Sequence, residues 1–221
     1  MTDRNRHSTD PKTVAATYDR IAEHFSKTRE YAWPEVESFV DDRHAAVALD
    51  LGCGNARHAE LLAPRADRVV GIDASRGLLQ EAADRARSRA FGVDLVAGDA
   101  SRIPLQSNTI DLALYVATVH HLPTRDARVQ SLSELGRVLT ADGVALVSAW
   151  STAHETFDQE SGFDTTIDWT LPGGETVPRF YHIYSPDEFR EDLDAAGVHV
   201  EDFELSSGNC YVTIRPEGKR P

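Results

Sequence analysis

Lysine is nearly absent from the sequence. Only Lys12, Lys27 and Lys219 occur, arginine supplies the other basic side chains, and 36 Asp and Glu residues bring the formal net charge to −13. In a mesophilic protein this acidity would argue against a nucleic-acid partner. Abundant Asp with arginine as the main cation is also typical of halophilic proteins, because at about 1 M salt the Debye length falls to roughly 3 Å and surface repulsion is screened. The composition therefore does not exclude an RNA substrate, although docking cannot rest on long-range attraction.

Cysteine and long apolar runs are scarce as well. Cys53 and Cys210 lie far apart, which excludes a disulfide framework and a zinc cluster, and no metal site is predicted. No stretch is apolar enough to span a bilayer, so no membrane association is expected. Residues 1–10 are polar and lack the apolar core of a signal peptide, which favours a cytoplasmic location.

The most informative stretch is residues 47–55, VALDLGCGN. Its apolar run predicts a buried parallel strand. Gly52 and Gly54 predict a tight turn at which a ligand meets no Cβ atom, and residues 57–63 predict a helix. Strand, glycine turn and helix together are typical of the nucleotide-binding corner of a doubly wound sheet. A nicotinamide cofactor would require a third glycine where Arg57 stands, so NAD is disfavoured.

Three acidic residues lie near the carboxyl ends of three successive predicted strands. Asp50 precedes the glycine turn, Asp73 ends the strand 68–73, and Asp99 ends the strand 93–100. Asp50 suits a ligand with a cationic amino group, and Asp73 stands where such folds place a carboxylate for ribose hydroxyls. Helix capping is the alternative interpretation for Asp73 and Asp99. Because ligands of open α/β sheets bind at this edge, the three acids are predicted to line one site.

The Asp-x-Gly-x-Gly pattern resembles motif I of the class I S-adenosylmethionine (SAM) methyltransferases. The resemblance implies an α/β fold, a Rossmann-like, doubly wound and mostly parallel seven-stranded sheet with helices on both faces. It implies SAM as the cofactor, with Asp99 near the adenine amino group. The residues implied to line the SAM pocket are Asp50, Gly52, Gly54, Asp73, Asp99, Ala100 and Val116.

The order of predicted elements indicates a single methyltransferase domain over residues 1–221, in four parts. Residues 1–44 are an N-terminal helical lid, 45–150 the SAM-binding core, 151–184 an insertion over the active site without clear periodicity, and 185–221 a C-terminal helix and two strands. Tyr18 and Phe25 on the first helix are interpreted as core residues. Arg29 and Trp33 lie in the break after that helix, where side chains can face a cleft.

A histidine pair, His120 and His121, follows the predicted strand 109–116 on the ligand edge. Adjacent residues on an extended segment point in opposite directions, so one histidine is expected to pack and the other to face the pocket. The pair lacks further ligands at metal spacing, which argues against a metal.

Two stretches outside the SAM motifs resemble the tRNA wobble-uridine carboxymethyl methyltransferases. They are residues 18–34, which begin Tyr-Asp-Arg-Ile-Ala and end Trp-Pro, and residues 179–184 (RFYHIY) with the later 209–212 (NCYV). That family forms the methyl ester of 5-carboxymethyluridine at the first anticodon position. The resemblance extends over roughly residues 13–215. It implies the tRNA anticodon loop as substrate and, as a heterodimer partner, a small zinc-binding activator protein shared among methyltransferases.

The same resemblance implies roles for individual residues. A carboxylate is ionised at neutral pH and needs no general base, so arginines would orient it. For Arg179 a surface salt bridge is the alternative interpretation. The implied catalytic residues are Arg29, His120, Arg179 and His182. The implied substrate-binding residues are Trp33, His121, Tyr181, Asn209 and Tyr211.

Three other functions compete with this one. A SAM-dependent methyltransferase of a small molecule, such as a quinone or lipid precursor, fits the SAM motifs equally well but not the two outer stretches. A non-catalytic scaffold with the same fold is disfavoured by the three intact acids. A nicotinamide oxidoreductase is disfavoured by Arg57.

Overall fold

The structure, a computed structural model, describes residues 11–218. Its strands are β1 (Ala45–Leu51), β2 (Ala66–Asp73), β3 (Asp94–Ala97), β4 (Ile110–Val116), β5 (Leu139–Trp150), β6 (Phe163–Thr170), β7 (Thr176–Ile183), β8 (Val198–Ser206) and β9 (Asn209–Pro216). Its helices are α1 (Pro11–Lys27), α2 (Pro34–Val40), α3 (Arg57–Leu62), α4 (Arg76–Arg89), α5 (Arg125–Val138) and α6 (Pro186–Ala195). No helix within these residues is long and apolar enough to cross a membrane.

Seven strands form the central sheet in the order β3-β2-β1-β4-β5-β9-β8. Strands β1 to β5 pair in parallel, and β9 lies antiparallel between β5 and β8. The mostly parallel seven-stranded sheet predicted from the sequence is therefore confirmed. The final two strands, β8 and β9, form an antiparallel hairpin.

Alternate residues of the central strands enter two hydrophobic cores, one on each face of the sheet. On β1, Leu49 and Leu51 pack with α5 and α6, whereas Ala48 packs with α2 and α3. On β4, Tyr115 belongs to the first core and Leu114 to the second. Burial on both faces explains why these strands appear in the sequence as continuous apolar runs.

Helix α1 lies over the carboxyl edge of the sheet and is fixed there by polar contacts. Asp19 Oδ1 accepts hydrogen bonds from Ser75 Oγ (2.7 Å) and from Gly77 N (2.8 Å) at the start of α4. A Cβ atom on Gly77 would lie only 3.1 Å from the Asp19 backbone, so this close approach depends on glycine. Helix α1 therefore has a defined position next to the strand end that carries Asp73.

Strands β6 and β7 form a separate antiparallel hairpin, which the sequence did not reveal. Residues 151–184 show no clear periodicity because the side chains of β6 alternate only between half-buried and exposed. Tertiary contacts with α1 stabilise the hairpin: Trp169 Nε1 donates to His24 Nδ1 (3.0 Å), and Arg20 pairs with Glu175. Helix α1 and the hairpin consequently lie together above the sheet edge.

Candidate active site

A cavity of about 480 Å³ lies between the carboxyl ends of β1, β2, β3 and β4 and the roof formed by α1 and β7. Its position agrees with the general rule for ligand sites in open α/β sheets. Of the predicted site residues, those that line it are Arg29, Trp33, Gly52, Gly54, Asp73, Asp99, Ala100, Val116, His120, His121, Arg179 and Tyr181.

The turn after β1 brings bare backbone to the cavity wall. Gly52 and Gly54 have φ angles of +71° and +53°, which lie in the left-handed region that favours glycine. A Cβ atom on Gly52 would lie 2.3 Å from the side chain of Thr118, whereas one on Gly54 would meet nothing within 4 Å. Gly52 is thus needed for packing within the wall, and Gly54 borders open space.

Two of the three predicted acids lie on the cavity wall. The Asp73 carboxylate accepts from Gly54 N and from Ser75 N, both at 2.8 Å, and burial raises its pKa. Asp99 is exposed at the wall, and its Oδ1 accepts from Ser101 N and Ser101 Oγ, both at 2.8 Å. Both carboxylates are oriented by the turns that follow their strands. The N-cap of the helix α4 is Ser75 and not Asp73, so helix capping does not account for Asp73.

Asp50, which the resemblance implies as a cofactor-binding residue, does not line the cavity. Its side chain points under the glycine turn, where Oδ2 accepts from Ala59 N (2.9 Å) in the first turn of α3. Burial raises the pKa of Asp50 to about 7. The orientation of a side chain at the end of a strand depends on the turn that follows, which the motif alone does not specify.

Both His120 and His121 line the cavity, whereas the sequence predicted that one histidine would pack and the other would face the pocket. Residues 119–121 form a short 3-10 turn, in which adjacent side chains are about 120° apart rather than opposite. His120 Nδ1 accepts from Trp150 N at 3.0 Å, so a neutral ring carries its proton on Nε2. Burial holds the pKa of His120 well below its usual range.

His121 is also neutral, in the opposite tautomer. Its Nδ1 lies 2.9 Å from the Phe180 carbonyl oxygen, which can only accept, so Nδ1 carries the proton. The hydroxyl of Tyr18 therefore donates to Nε2 at 2.9 Å. Burial lowers the pKa of His121 to about 4. This chain of hydrogen bonds connects α1 with the backbone of β7.

Arg179 lies on the roof, where 6% of its surface is exposed. Its Nη1 donates to Tyr181 Oη at 2.7 Å, and its Nε has no hydrogen-bond partner. The guanidinium lies 4.8 Å from the centre of the Trp169 ring, and that of Arg29 lies 5.6 Å from the same ring. Among residues 11–218, no carboxylate forms a salt bridge with either arginine, so the interpretation of Arg179 as a surface salt bridge is wrong.

One predicted catalytic residue, His182, and two predicted substrate-binding residues, Asn209 and Tyr211, lie outside the cavity. His182 follows Tyr181 on β7 and therefore faces the other side of the hairpin, where it contacts Asp164 (2.7 Å) and Glu188 (3.1 Å). Asn209 Nδ2 donates to the nearby carbonyl of Ser207 at 3.1 Å. Tyr211 packs in the core against α2. The strand that carries Asn209 and Tyr211 was predicted, whereas the β6–β7 hairpin that carries His182 was not, and in neither case does the sequence specify which face points to the cavity.

Several residues that line the cavity were not predicted from the sequence to do so. Tyr18 and Phe25 on α1 both line the cavity, although they were interpreted as core. A helix that covers a cavity has the same apolar period as one that covers a core, so periodicity cannot separate the two. Trp150 at the end of β5 and Arg57 at the start of α3 also line the cavity; their places at strand and helix ends on the ligand edge are the signal that could have found them.

The residues present fit SAM. Open backbone at Gly54 leaves space beside the turn, and Asp73 and Asp99 present carboxylate oxygens at successive strand ends. Val116 and Ala100 add apolar wall between them. The sheet order and this edge together define the class I methyltransferase fold.

Comparison with known proteins agrees with the fold. A family model described as "Methyltransferase domain" matches residues 49–147. A protein of Encephalitozoon cuniculi that is named as a methyltransferase is 34% identical over 205 residues, which cover 89% of this chain and 92% of that protein. The chain therefore belongs to the class I SAM-dependent methyltransferases and is an enzyme that uses SAM.

Two further relatives are named tRNA (carboxymethyluridine(34)-5-O)-methyltransferase. The one from Schizosaccharomyces pombe is 27% identical over 223 residues, covering 90% of this chain and 94% of that protein. The one from Mus musculus is 32% identical over 153 residues, covering 69% of this chain, but the match spans only 22% of that longer protein.

Solved structures share the fold at lower identity. A SAM-dependent methyltransferase from Clostridium acetobutylicum superposes with a TM-score of 0.71 at 15% identity, covering 91% of this chain and 99% of that one. A chain from the complex with the Haloferax volcanii Trm112 methyltransferase activator superposes with a TM-score of 0.69 at 14% identity, covering 94% and 99%.

Proposed function

We propose that this enzyme methylates the carboxylate of 5-carboxymethyluridine at the wobble position of tRNA and so forms the methyl ester. The single observation that carries the proposal is Arg179, a buried arginine at the cavity without a carboxylate partner among the described residues. The relatives named for this reaction support the choice of substrate.

An unpaired guanidinium in the roof of the cavity indicates an anionic ligand. Buried charges are normally paired, because removal from water without a counter-ion is unfavourable. Arg29 increases the local positive charge; burial and the neighbouring Arg179 lower the pKa of Arg29. Acids are abundant as potential partners in a chain with net charge −13, yet among residues 11–218 none forms a salt bridge with Arg29 or Arg179. A substrate carboxylate would compensate both cations.

The neutral histidines fit a reaction that needs no general base. A carboxylate is already ionised near pH 7 and carries its own nucleophilic electron pair. His120 and His121 are neutral and joined to Trp150, Phe180 and Tyr18, which holds the wall in one arrangement. Their proposed role is to shape the cavity and to donate hydrogen bonds to the substrate, with Nε2–H of His120 as the available donor.

The cofactor would be held by the backbone of the glycine turn and by Asp73 and Asp99, and when bound it supplies an electrophilic methyl group. The chain's own residues then have two tasks. Arg179 and Arg29 orient the substrate carboxylate in line with the methyl group, because alignment is the main requirement of such a displacement. Tyr18, Phe25 and Tyr181 exclude water from the reacting groups.

We propose that α1 and the β6–β7 hairpin are the two parts of a lid over this site. Tyr18, His121 and Phe180 connect them through two hydrogen bonds of 2.9 Å. An RNA loop has to enter under one or both parts, and closure would bring Arg29 and Arg179 to the same ligand.

A direct test compares two pools of possible substrates. The purified protein is incubated with SAM carrying a labelled methyl group and either bulk tRNA from a strain lacking the gene or a small-molecule extract of that strain. We expect label in tRNA and release of that label by mild alkali, since methyl esters hydrolyse readily. Label confined to the small-molecule pool would favour a quinone or lipid precursor as substrate instead.

We further propose a heterodimer with a small zinc-binding activator. Support comes from the structural neighbour that is solved with the Haloferax volcanii Trm112 methyltransferase activator. Within residues 11–218 the outer strands of the sheet, β3 and β8, each pair with a strand on one side only, so the other side can accept a strand of another chain. Co-expression and pull-down with small zinc-ribbon proteins of the same organism tests this. Full activity of the isolated chain, without a stable complex, would contradict it.

A further inference from the structure

The loop between α1 and α2 displays one strongly exposed aromatic side chain. Tyr31 has 77% of its surface exposed, more than the other exposed large hydrophobic residue in the described chain, Leu205 at 49%. Its neighbours in the loop, Arg29 and Trp33, both line the cavity. The ring of Tyr31 is thus presented at the rim of the proposed active site.

The backbone of this loop is held by three side chains from the protein body. Asn55 Nδ2 donates to the carbonyl of Arg29 at 2.9 Å, and Arg85 Nη2 donates to that of Glu30 at 2.6 Å. Arg57 Nη1 donates to the carbonyl of Tyr31 at 3.2 Å. Three successive carbonyls are therefore fixed, and the exposure of Tyr31 is a feature of an ordered loop.

The surroundings of Tyr31 suit a nucleobase better than a protein surface. The guanidinium of Arg57 lies 5.0 Å from the centre of the Trp33 ring and, like Arg29, forms no salt bridge with a described carboxylate. Large contiguous apolar patches mark many protein interfaces, whereas here a single exposed ring has the charged residues Glu30 and Arg57 as neighbours. Single-stranded RNA is bound by aromatic rings that stack with bases and by arginines that contact the backbone.

We propose that Tyr31 stacks with a nucleobase adjacent to the modified uridine while the target nucleotide occupies the cavity. The inference rests on the proposed function and names the part of the substrate that this rim would recognise. The nucleotide next to the target in a loop is the one that must pass over the rim. The ring then supplies affinity that does not depend on long-range charge attraction, which suits an acidic protein at high salt.

The test is the affinity of a fluorescent anticodon stem–loop RNA containing 5-carboxymethyluridine, measured by anisotropy with S-adenosylhomocysteine present. Tyr31→Ala should weaken binding roughly tenfold, the range found for one base–aromatic stack. Tyr31→Phe should bind within about twofold of the wild type, because stacking requires the ring and not the hydroxyl. Leu205→Ala is the matched control for loss of an exposed apolar side chain. SAM affinity measured by calorimetry should be unchanged in all three variants.

Steady-state kinetics provides a second readout. Tyr31→Ala should raise KM for the stem–loop roughly tenfold with kcat nearly unchanged, since the ring lies outside the reacting cavity. Unchanged stem–loop affinity and KM in Tyr31→Ala would overturn the inference, including the case in which that variant instead loses a protein partner. If the wild type binds the stem–loop with Tyr31-dependent affinity but transfers no methyl group, the proposed reaction fails while the stacking contact stands.

Discussion

Replacement of Arg179 tests the assignment of the substrate carboxylate most sharply. A hydrogen bond to a charged group contributes about 1.5–3 kcal/mol, which corresponds to roughly 10- to 150-fold in rate or affinity. Arg179→Ala should therefore lower kcat/KM for the tRNA about 100-fold. The variant should fold normally, because the change breaks a 2.7 Å bond to Tyr181 but no described ion pair, and it relieves repulsion with Arg29.

The assay is single-turnover methylation of tRNA carrying the free carboxymethyl group, alongside calorimetric titration with SAM. SAM affinity should stay within about twofold of wild type. Arg179→Lys should rescue poorly, because an ammonium lacks the planar fork that binds a carboxylate.

The matched control is Arg128, another buried arginine, which lies 3.9–4.0 Å from the carboxylates of Glu188 and Asp192 and does not line the cavity. Arg128→Ala removes a buried cation beside those acids, which keep their contacts with His182 and Arg125, and should lower the free energy of unfolding by about 1–3 kcal/mol. Wild-type turnover in Arg179→Ala would refute the reasoning. So would an unfolding energy lowered as much as in the control, since Arg179 would then be a structural residue.

Three further predictions concern the cofactor side and the protonation of the site. Asp73→Ala should weaken SAM binding by on the order of 10-fold or more in calorimetry, and unchanged affinity would show that this acid only orders the turn. Gly52→Ala should lower the unfolding free energy by about 2–4 kcal/mol, because the new Cβ meets Thr118 at 2.3 Å. Gly54→Ala, whose Cβ would meet nothing within 4 Å, should lower it by about 1 kcal/mol. Equal losses for the two variants in urea unfolding would contradict the packing role of Gly52. Because burial lowers the pKa of His121 to about 4, its contribution to stability is present above the unfolded value of about 6.5 and is lost as pH falls toward 4. His121→Gln should therefore reduce the slope of unfolding free energy against pH in that window, and an unchanged slope would contradict the assigned protonation state.

The core of the fold could be predicted because burial leaves direct signals in the sequence. Strands β1 and β4 are buried on both faces and appear as apolar runs. Gly52 and Gly54 mark the turn after β1, where the backbone takes positive φ angles that favour glycine. The β6–β7 hairpin gave no such signal. On β6, half-buried residues alternate with exposed ones, and contacts with α1, which is distant in sequence, hold the hairpin in place.

Which side chains would meet in the site could be predicted only in part. Asp73, Asp99 and the histidine pair lie at strand ends, whose common edge follows from topology. Asp50 and His182 do not line the cavity, for a different reason: a single peptide unit determines which face a side chain takes, and the motif does not specify it. Tyr18 was missed although a helical lid was predicted, because the apolar period of α1 does not separate a side chain that faces a cavity from one that packs in a core.

The central claim is that the nucleophile is a carboxylate on the wobble uridine. The most direct measurement is mass spectrometry of nucleosides from tRNA that carries 5-carboxymethyluridine, after incubation with the protein and SAM, before and after mild alkaline hydrolysis. The account predicts conversion of the carboxymethyl nucleoside to its methyl ester and return to the free acid after alkali. A methyl group that survives alkali, or a carboxymethyl nucleoside that stays unmodified while the protein methylates a small molecule, would contradict it.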